Sequence, residues 1–481
     1  MTAKRAGAYL TVYLTLSLTA VLSLFLTLIE GARMNAIRMQ MECVTDIAMN
    51  SVLAEFHRAL YEQYDLFFVD TSYGSGAPAL GNTAERLRMY MEKNYTSKGL
   101  LSFGGRRDFT ALSVADLDVT AARYITDGGE KALREQVYAY MAADPAGALL
   151  GQVLTQVDTF QGLLHSSGRW QDEREDNEQD IGEKGTPTIT DEEGNEIEVP
   201  LHNPAAAVNS FRQSAVLTQI FGSSAALSDA AIERGDRLSA RGFPQRQAWE
   251  AENTHGYPEA DALLFDQYIF EKCGTYRAPL DKSRLKYQVE YILFGKASDR
   301  ENLADTATAL LVCREAANCL YLFTDQAKCA EADLMAGALA AVVLLPELQP
   351  LVKVSILFAW AYLESVQDVK TLFAGGKVPL LKDGQSWRTS LSGILTPERA
   401  TQGQNGGDGL NYETYLRMML YLEKAEDKNV RLLEIMESDV RQTPGNERFR
   451  IEGCLDGYRL RVAVRSGFGY TYALERGVSY N

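Results

Sequence analysis

Glu364 and Asp368 are two carboxylates four residues apart in an apolar stretch that also holds Trp360 and Tyr362. On a helix, this spacing puts both carboxylates on one face. Carboxylates beside buried aromatic rings act as general acids and bases, or they form a partnered network that stabilises the fold. The pattern favours the structural network, and a pocket containing both acids is the alternative.

Short motifs that mark phosphate-binding and hydrolytic sites are absent from the chain. Lys296 and Lys377 each follow a glycine, but Ala297 and Val378 stand where a P-loop needs Ser or Thr. The four histidines lie too far apart for an HExxH zinc site, and no G-x-S-x-G nucleophile motif occurs. We therefore predict a non-enzymatic protein without catalytic, cofactor-binding or metal-binding residues, and an envelope enzyme ranks only third.

A glycine-rich loop and an acidic segment imitate two ligand-binding motifs. Residues 74–79 fit G-x-G-x-x-A, but a predicted helix rather than a βαβ unit precedes them, so they predict a structural loop. An EF-hand loop starting at Asp176 would need Glu where Pro187 stands. The acids of residues 171–200 therefore predict a solvated insertion rather than a calcium site.

Composition favours a packed acidic protein and argues against a nucleic-acid partner. The 481 residues carry a net charge of −16, from 48 basic and 64 acidic side chains, whereas phosphate contacts need clustered Lys and Arg. A hydrophobic content of 46% supports a packed core. Six cysteines without a CxxC pair do not fit the usual spacing of structural zinc ligands.

An uncharged stretch from Ala8 to Ile29 predicts a membrane-spanning helix. Its 22 residues would measure about 33 Å as a helix, and a hydrocarbon core is roughly 30 Å thick. A cleaved secretory signal is the alternative, but no small-x-small site follows, and Glu30 to Arg33 continue directly into helix. We predict that the helix is retained in a single-pass membrane protein.

The charges beside the span set the predicted orientation. Lys4 and Arg5 precede it, whereas Arg33 and Arg38 follow it closely, so the positive-inside count is nearly balanced. The free amino group tips this balance toward a cytoplasmic N-terminus. We therefore predict a cell-membrane protein whose large C-terminal domain is extracytoplasmic.

Apolar residues at three- and four-residue steps follow the predicted span. They are Ile37, Met41, Val44, Ala48, Val52 and Phe56. This stripe predicts an unbroken stalk helix over residues 30–65 that continues the membrane helix. Its apolar face is a candidate docking surface for a partner helix, although packing against the protein's own domain is the commoner cause of such a stripe.

The whole chain predicts an α+β fold that is mostly helical. Helical periodicity dominates the middle of the chain, while Tyr458, Leu460 and Val462 alternate with polar residues and predict a β-hairpin paired with strands near residues 109–126. The predicted segments are a cytoplasmic N-terminus (1–7), a transmembrane helix (8–29), a stalk helix (30–65), a mixed α/β segment (66–170), an acidic insertion (171–200), a helical body (201–440) and a C-terminal β-hairpin (449–481).

Two apolar stretches of the helical body, Leu334–Leu345 and Val354–Leu363, are each too short to span a bilayer. We predict that they form a buried helical hairpin. A second membrane passage is the alternative, but joining the stretches would place Glu347 and Lys353 inside the hydrocarbon.

Two shorter signals concern a helix start and a loop. Ser298 and Glu301 have the spacing of a capping box at the start of a helix. Four glycines between residues 401 and 409 predict a flexible loop, which would suit the lid of a ligand pocket.

Several longer segments give the chain a family resemblance. They are Glu30 to Arg33, Ser51 to Phe56, Tyr64 to Phe68, Val289 to Lys296, Trp360 to Ser365 with Asp368 and Val369, and Gly376 to Pro379. Together they resemble Firmicutes membrane-anchored proteins of unknown function that are encoded near Tad/Flp pilus genes and are loosely similar to TadE and TadG pseudopilins.

The resemblance implies a structural or assembly component of a Tad-type pilus or related secretion system in a Gram-positive cell envelope. Its partners would be pilus or secretion-system proteins, and it carries over no functional residues. A prepilin would be cut after a glycine with Glu five residues on, whereas Val12 stands at that position after Gly7. A surface ligand-binding or sensing module is the alternative function.

Overall fold

The computed structural model divides the chain into two units. It describes residues 2–96, 110–142, 147–184, 188–190, 196–198, 203, 205–223, 225–244, 261–342, 346–401 and 407–480. Unit 1 contains Met1–Gln136, Phe243–Tyr257 and Thr443–Asn481, and unit 2 contains Val137–Gly242 and Pro258–Gln442.

Helices make up most of the described residues, as the sequence predicts. In chain order they are α1 Thr2–Leu53, α2 Arg58–Tyr64, α3 Leu80–Thr96, α4 Lys131–Ala142, α5 Gly147–Lys184, α6 Ala206–Arg212, α7 Val216–Phe221, α8 Leu238–Arg241, α9 Asp261–Lys272, α10 Gln288–Phe294, α11 Asp299–Thr324, α12 Gln326–Val342, α13 Gln349–Phe373, α14 Pro397–Ala400, α15 Tyr412–Leu422 and α16 Ala425–Arg441. The strands are β1 Val69–Asp70, β2 Leu112–Tyr124, β3 Thr188–Thr190, β4 Glu196–Glu198, β5 Cys454–Ser466 and β6 Thr471–Ser479.

The sheet of unit 1 is antiparallel and has β5 at its centre. Strand β2 lies on one side of β5, with Val119 opposite Leu460, while β1 and β6 pair with β5 along its other edge. The predicted C-terminal hairpin and its pairing with a strand near residues 109–126 are therefore confirmed. Gly469, with φ of +89°, lies in the turn between β5 and β6, where the left-handed backbone favours glycine.

Helix α1 runs without a break for 52 residues and then ends at Leu53. The sequence predicts an unbroken stalk through residue 65, but a turn follows and α2 starts at Arg58. His57 has an extended backbone and its Nδ1 accepts a hydrogen bond from the Leu60 amide, so it caps α2. Apolar periodicity continues across this turn because α2 also buries a face, and periodicity alone therefore conceals the break.

One described helix, α1, is long and apolar enough to cross a membrane by length and composition. The window that meets this criterion is not buried at all within the fold. The second half of the same helix packs on α3, β5 and β6. A single helix therefore joins an exposed apolar segment to the core of unit 1.

Unit 2 is built around α13, which packs on α5, α11 and α12. Helix α11 begins with the predicted capping box, because Ser298 and Glu301 exchange side-chain-to-backbone hydrogen bonds. Strands β3 and β4 pair antiparallel, with Ile189 opposite Ile197.

The acidic segment differs from the predicted insertion, because α5 continues through it to Lys184. Leu163, Trp170 and Asn177 are buried at seven-residue steps, and the acids occupy other faces of the same helix. Buried residues recur here only once in seven positions, and most of the residues between them are polar or acidic. Composition alone therefore predicts a solvated insertion.

Of the two helices that correspond to the predicted hairpin, α13 is largely buried and α12 is buried along one face only. Residues of α13 from Ser355 to Val369 are buried, whereas α12 buries Ala332, Ala336 and Ala340 and leaves Leu334 79% exposed. Residues 343–345 of the predicted hairpin, and residues 402–406 of the predicted glycine loop, lie outside the described residues.

Candidate functional site

The first half of α1 presents a continuous apolar surface. Fourteen large apolar side chains between Tyr9 and Ile29 are 47% to 76% exposed. Exposure of one such side chain to water costs about 1.5–3 kcal/mol relative to full burial. Covering this surface with lipid or another apolar surface would therefore be favourable.

Hydroxyl groups on this surface are satisfied within the helix. Thr15, Thr19 and Thr27 each donate to the carbonyl four residues earlier, over 3.0, 2.5 and 2.8 Å. A hydroxyl in hydrocarbon needs an internal acceptor because no water is present there. These polar residues are thus compatible with an apolar surrounding.

The stripe predicted as a partner-helix face is covered by the protein's own fold. Ile37, Met41, Val44, Ala48 and Val52 are all buried in the core of unit 1. Their neighbours in this core include Leu87 and Met91 of α3 and Tyr458, Leu460 and Val462 of β5. The stripe packs against its own domain, so it is not available to a partner helix in this structure.

Phe56, the last residue of the predicted stripe, lies beyond the end of α1. Its ring contacts Tyr61 and Phe67 at centroid distances of 5.3 and 5.2 Å. Phe56 therefore stabilises the turn into α2 rather than extending the face of α1.

Local hydrogen bonds and close packing fix the loop at residues 74–79, whose sequence predicts a structural loop. Asp70 accepts hydrogen bonds from the amide and hydroxyl of Ser72, which fixes the turn after β1. Gly76 has a φ of +75°, and a Cβ there would lie 2.8 Å from Cβ of Arg448. Glycine is therefore required by both backbone conformation and packing.

The predicted pair of acids, Glu364 and Asp368, is fully buried on α13. Lys382 Nζ donates to Glu364 Oε1 over 2.5 Å and to Asp368 Oδ1 over 2.7 Å. Arg314 Nε of α11 donates to Asp368 Oδ2 over 3.0 Å. Two cations thus neutralise two carboxylates, as the structural-network interpretation of the sequence expects.

Arg314 extends this network to two further segments. Its Nη1 donates to the carbonyls of Pro379 and Leu380 and to the Tyr415 hydroxyl. Burial alone would lower the pKa of Arg314, but Tyr415 and Asp368 outweigh it, and the net shift is upward. The guanidinium therefore stays charged and joins α11, α13, α15 and the chain after α13.

Glu364 holds the same following segment through backbone amides. The Thr389 amide donates to Oε2 over 2.8 Å, and the Arg388 amide donates to Oε1 over 3.0 Å. The acids and cations of this network are paired with one another inside the fold and line neither of the two cavities of unit 2 described next. Their hydrogen bonds connect α11, α13 and the chain after α13, as a fold-stabilising network does.

A cleft of about 830 Å³ opens on a different part of α13. Its charged lining residues are Lys370, Glu398 and Arg399, and its polar lining includes Ser210 and Thr218. Lys370 Nζ donates to the carbonyl and hydroxyl oxygens of Thr401 over 2.5 and 2.9 Å. Burial lowers the pKa of Lys370, and Glu398 only partly opposes this shift.

A second cavity of about 560 Å³ shares Lys370 and Glu398 with the cleft. Its apolar wall contains Phe221, Tyr276 and Phe373, whose ring centroids lie 5.0 to 5.3 Å apart. Volumes of roughly 300–1,000 Å³ with an apolar wall and few polar groups are typical of ligand sites.

Sequence reasoning identified the two acids but missed the cations and the cleft. Lys382 and Arg314 lie far from Glu364 and Asp368 in sequence, and no local motif links them. Lys370 lies among buried residues at the C-terminal end of α13, and a lone lysine in such a run is the signal that could have indicated the cleft.

Comparison with known proteins gives a family for the body of the chain. No curated protein matches the chain, and no solved structure matches it. A family of unknown function, DUF5702, matches residues 194–466, which include α6 to α16 and β5. Because this match covers more than half of the 481 residues, the protein belongs to the DUF5702 family.

Proposed function

We propose that the protein is a non-enzymatic, single-pass membrane protein of the cell envelope. The observation that carries the proposal is the division of α1, whose first half is apolar and exposed while its second half lies in the core of unit 1. A helix that crosses a bilayer satisfies its own backbone hydrogen bonds and needs apolar side chains on its surface. Both conditions are met between Tyr9 and Ile29.

The unbroken helix suits a structural role. Because α1 has no break between Ile29 and Ile37, the span and the packed half belong to one element. A force or displacement at the membrane would pass directly into the core of unit 1. This is the property expected of an anchor in an assembly, whereas a lipid-tethered domain on a flexible linker lacks it.

We propose a Tad-type pilus or related secretion system as the assembly. The resemblance described above supports this, and so does an apolar helix half that either a bilayer or neighbouring helices of an assembly can cover. The buried stripe from Ile37 to Val52 leaves the first half of α1 as the surface through which the helix would meet partners. Such partners would be pilus or secretion-system proteins in the membrane.

The native cysteines provide a test of orientation. Cys43 is exposed on α1, Cys329 is partly exposed, and the other cysteines are buried. In intact protoplasts of a Cys329→Ser strain, we expect a membrane-impermeant maleimide to label Cys43, because the domain is proposed to lie outside. Cys43→Ser in the same background is the matched control.

Labelling of Cys43 only after lysis would put the domain in the cytoplasm and would contradict the envelope role. Labelling that persists at equal strength in the Cys43→Ser control would show reaction at one of the buried cysteines, and peptide mapping of the labelled protein would identify it. Labelling that depends on Cys43 in intact protoplasts is the result the proposal predicts.

A further inference from the structure

The two adjoining cavities of unit 2 combine opposite charges with an aromatic wall. Lys370 and Arg399 contribute two positive charges, and Glu398 contributes one negative charge. The residues lining the cavities include no other Lys, Arg, Asp or Glu. The cleft is therefore net positive, although the chain as a whole carries a charge of −16.

The positive charge of Lys370 has no carboxylate of the described residues within hydrogen-bond distance. Its ammonium group has three donors, and among the described residues two hydrogen bonds to Thr401 are made. Both acceptors are neutral oxygens, and Glu398 is an exposed residue that interacts with Lys370 at longer range. A carboxylate placed beside Nζ would supply the missing charge and the third acceptor.

The aromatic wall determines what should accompany that carboxylate. Phe221 and Tyr276 are partly exposed and line the second cavity, which also contains Lys370. An apolar group attached close to the carboxylate would pack on these rings while the carboxylate pairs with Lys370. The hydroxyls of Ser210, Ser214 and Thr218 line the other cavity and are suited to bind amide groups.

We propose that this cleft binds an apolar amino-acid residue with a free carboxylate, either as an N-acylated amino acid or as the C-terminal residue of a peptide. Lys370 binds the carboxylate, Phe221 and Tyr276 contact the side chain, and the hydroxyl-lined cavity receives the acyl or peptide portion. The site lies entirely in unit 2 and is independent of the proposed membrane anchor.

The test is calorimetric titration of the full chain in lipid nanodiscs, with empty nanodiscs as the blank. N-acetyl-L-phenylalanine is compared with N-acetyl-L-phenylalaninamide, which has the same shape without the charge. We expect the acid to bind with an affinity at least about tenfold higher than the amide. Equal affinities, or no saturable binding of the acid, would overturn the proposal.

Matched variants locate the binding. Lys370→Met should reduce the affinity for the acid at least about tenfold, whereas Lys370→Arg should retain binding. Lys296→Met is the control, because Lys296 is an exposed lysine of the same unit outside the cleft. Binding that survives Lys370→Met unchanged would place the ligand elsewhere and contradict the proposal.

Two further measurements keep the proposal testable if Lys370→Met does not fold. Arg399 is exposed, so Arg399→Gln should fold normally and weaken binding of the acid, while Phe221→Ala should weaken binding of both ligands. Unchanged affinities in both variants would overturn the assignment of the site. Acetyl-Ala-Ala-Phe with a free C-terminus distinguishes the two kinds of ligand. If the natural ligand is the C-terminus of a peptide, this peptide should bind more tightly than N-acetyl-L-phenylalanine. If the natural ligand is an N-acylated amino acid, the peptide should bind more weakly.

Discussion

Helices α1 and α13 each supply the centre of one unit, but they are held by different interactions. The second half of α1 buries an apolar stripe against α3 and the sheet. Helix α13 buries Glu364 and Asp368 against Lys382 and Arg314. When a substitution removes apolar atoms, the free energy of unfolding falls roughly with the number of atoms removed. When a substitution removes one partner of a buried ionic network, it falls sharply, because the other partner is left buried and unpaired.

Unit 1 also buries an ion pair, which shows the same contrast within one unit. Arg123 donates from Nε and Nη2 to the two carboxylate oxygens of Asp456 over 2.7 and 2.6 Å. Burial raises the pKa of Asp456 to about 6 despite this partner. The pair at Asp456 joins two neighbouring strands, β2 and β5, whereas the network at Asp368 joins α11, α13, α15 and the chain after α13.

The largest expected effect is that of Asp368→Ala. The substitution leaves Arg314 and Lys382 buried with one carboxylate fewer, and the free energy of unfolding should fall by about 3–5 kcal/mol. Chemical denaturation followed by circular dichroism measures the change. Glu347→Ala, at an exposed position of the same region, is the control and should change stability by less than about 0.5 kcal/mol. A loss below 1 kcal/mol for Asp368→Ala would contradict the importance of the network.

A smaller effect is expected from Val52→Ala in unit 1. Val52 is fully buried, and removing two methyl groups should lower the free energy of unfolding by about 2 kcal/mol. Ile47→Ala provides a matched control on the same helix, because Ile47 is 50% exposed. If both variants lose equal stability, the stripe does not pack as described.

The pH dependence of unit 2 should reflect Glu290. Burial raises the pKa of Glu290 to about 7, although its hydrogen bonds from Tyr412 and the Tyr276 amide oppose the shift. The folded state therefore holds the proton more tightly than the unfolded state, and stability contributed by this group falls as pH rises from about 4.5 to about 7. Glu290→Gln keeps an acceptor for both donors and removes the charge.

We expect Glu290→Gln to be more stable than the original protein at pH 8 by an amount on the order of 2 kcal/mol, with a smaller difference at pH 5. Thermal unfolding at both pH values measures the difference. Glu347→Gln is the exposed control and should show no such pH dependence. A difference that is the same at pH 5 and pH 8 would exclude titration of Glu290 as the cause.

The smallest effect should come from an exposed ion pair of α1. Asp46 Oδ1 lies 3.6 Å from Nε of Arg476, and both side chains are well exposed. Asp46→Ala should therefore change the free energy of unfolding by less than about 1 kcal/mol, because solvent screens such pairs. Denaturation in low and high salt tests this, and a large salt-independent loss would contradict it.

Local periodicity explains what the sequence predicted well. The stripe from Ile37 to Val52 repeats within one helix, and the alternation of Tyr458, Leu460 and Val462 repeats within one strand. Each pattern reports a buried face of its own element. The capping box at Ser298 is likewise a signal contained in four residues.

Interactions between distant segments explain what the sequence did not predict. The turn after α1 contains His57, whose Nε2 lies 3.1 Å from Oδ1 of Asn446, a residue 389 positions later in the chain. The cations of the network depend on how α11 and the chain after α13 fold back. Such contacts produce no repeating pattern in the sequence from which they could be predicted.

The central claim is that the first half of α1 anchors the protein in a membrane, and alkaline carbonate extraction tests it most directly. The full chain should remain in the membrane pellet, whereas a chain beginning at Glu30 should move to the supernatant. The truncated chain should stay folded by circular dichroism, because it retains the buried stripe from Ile37 to Val52. Release of the full chain by carbonate, or retention of the truncated chain in the pellet, would contradict the account.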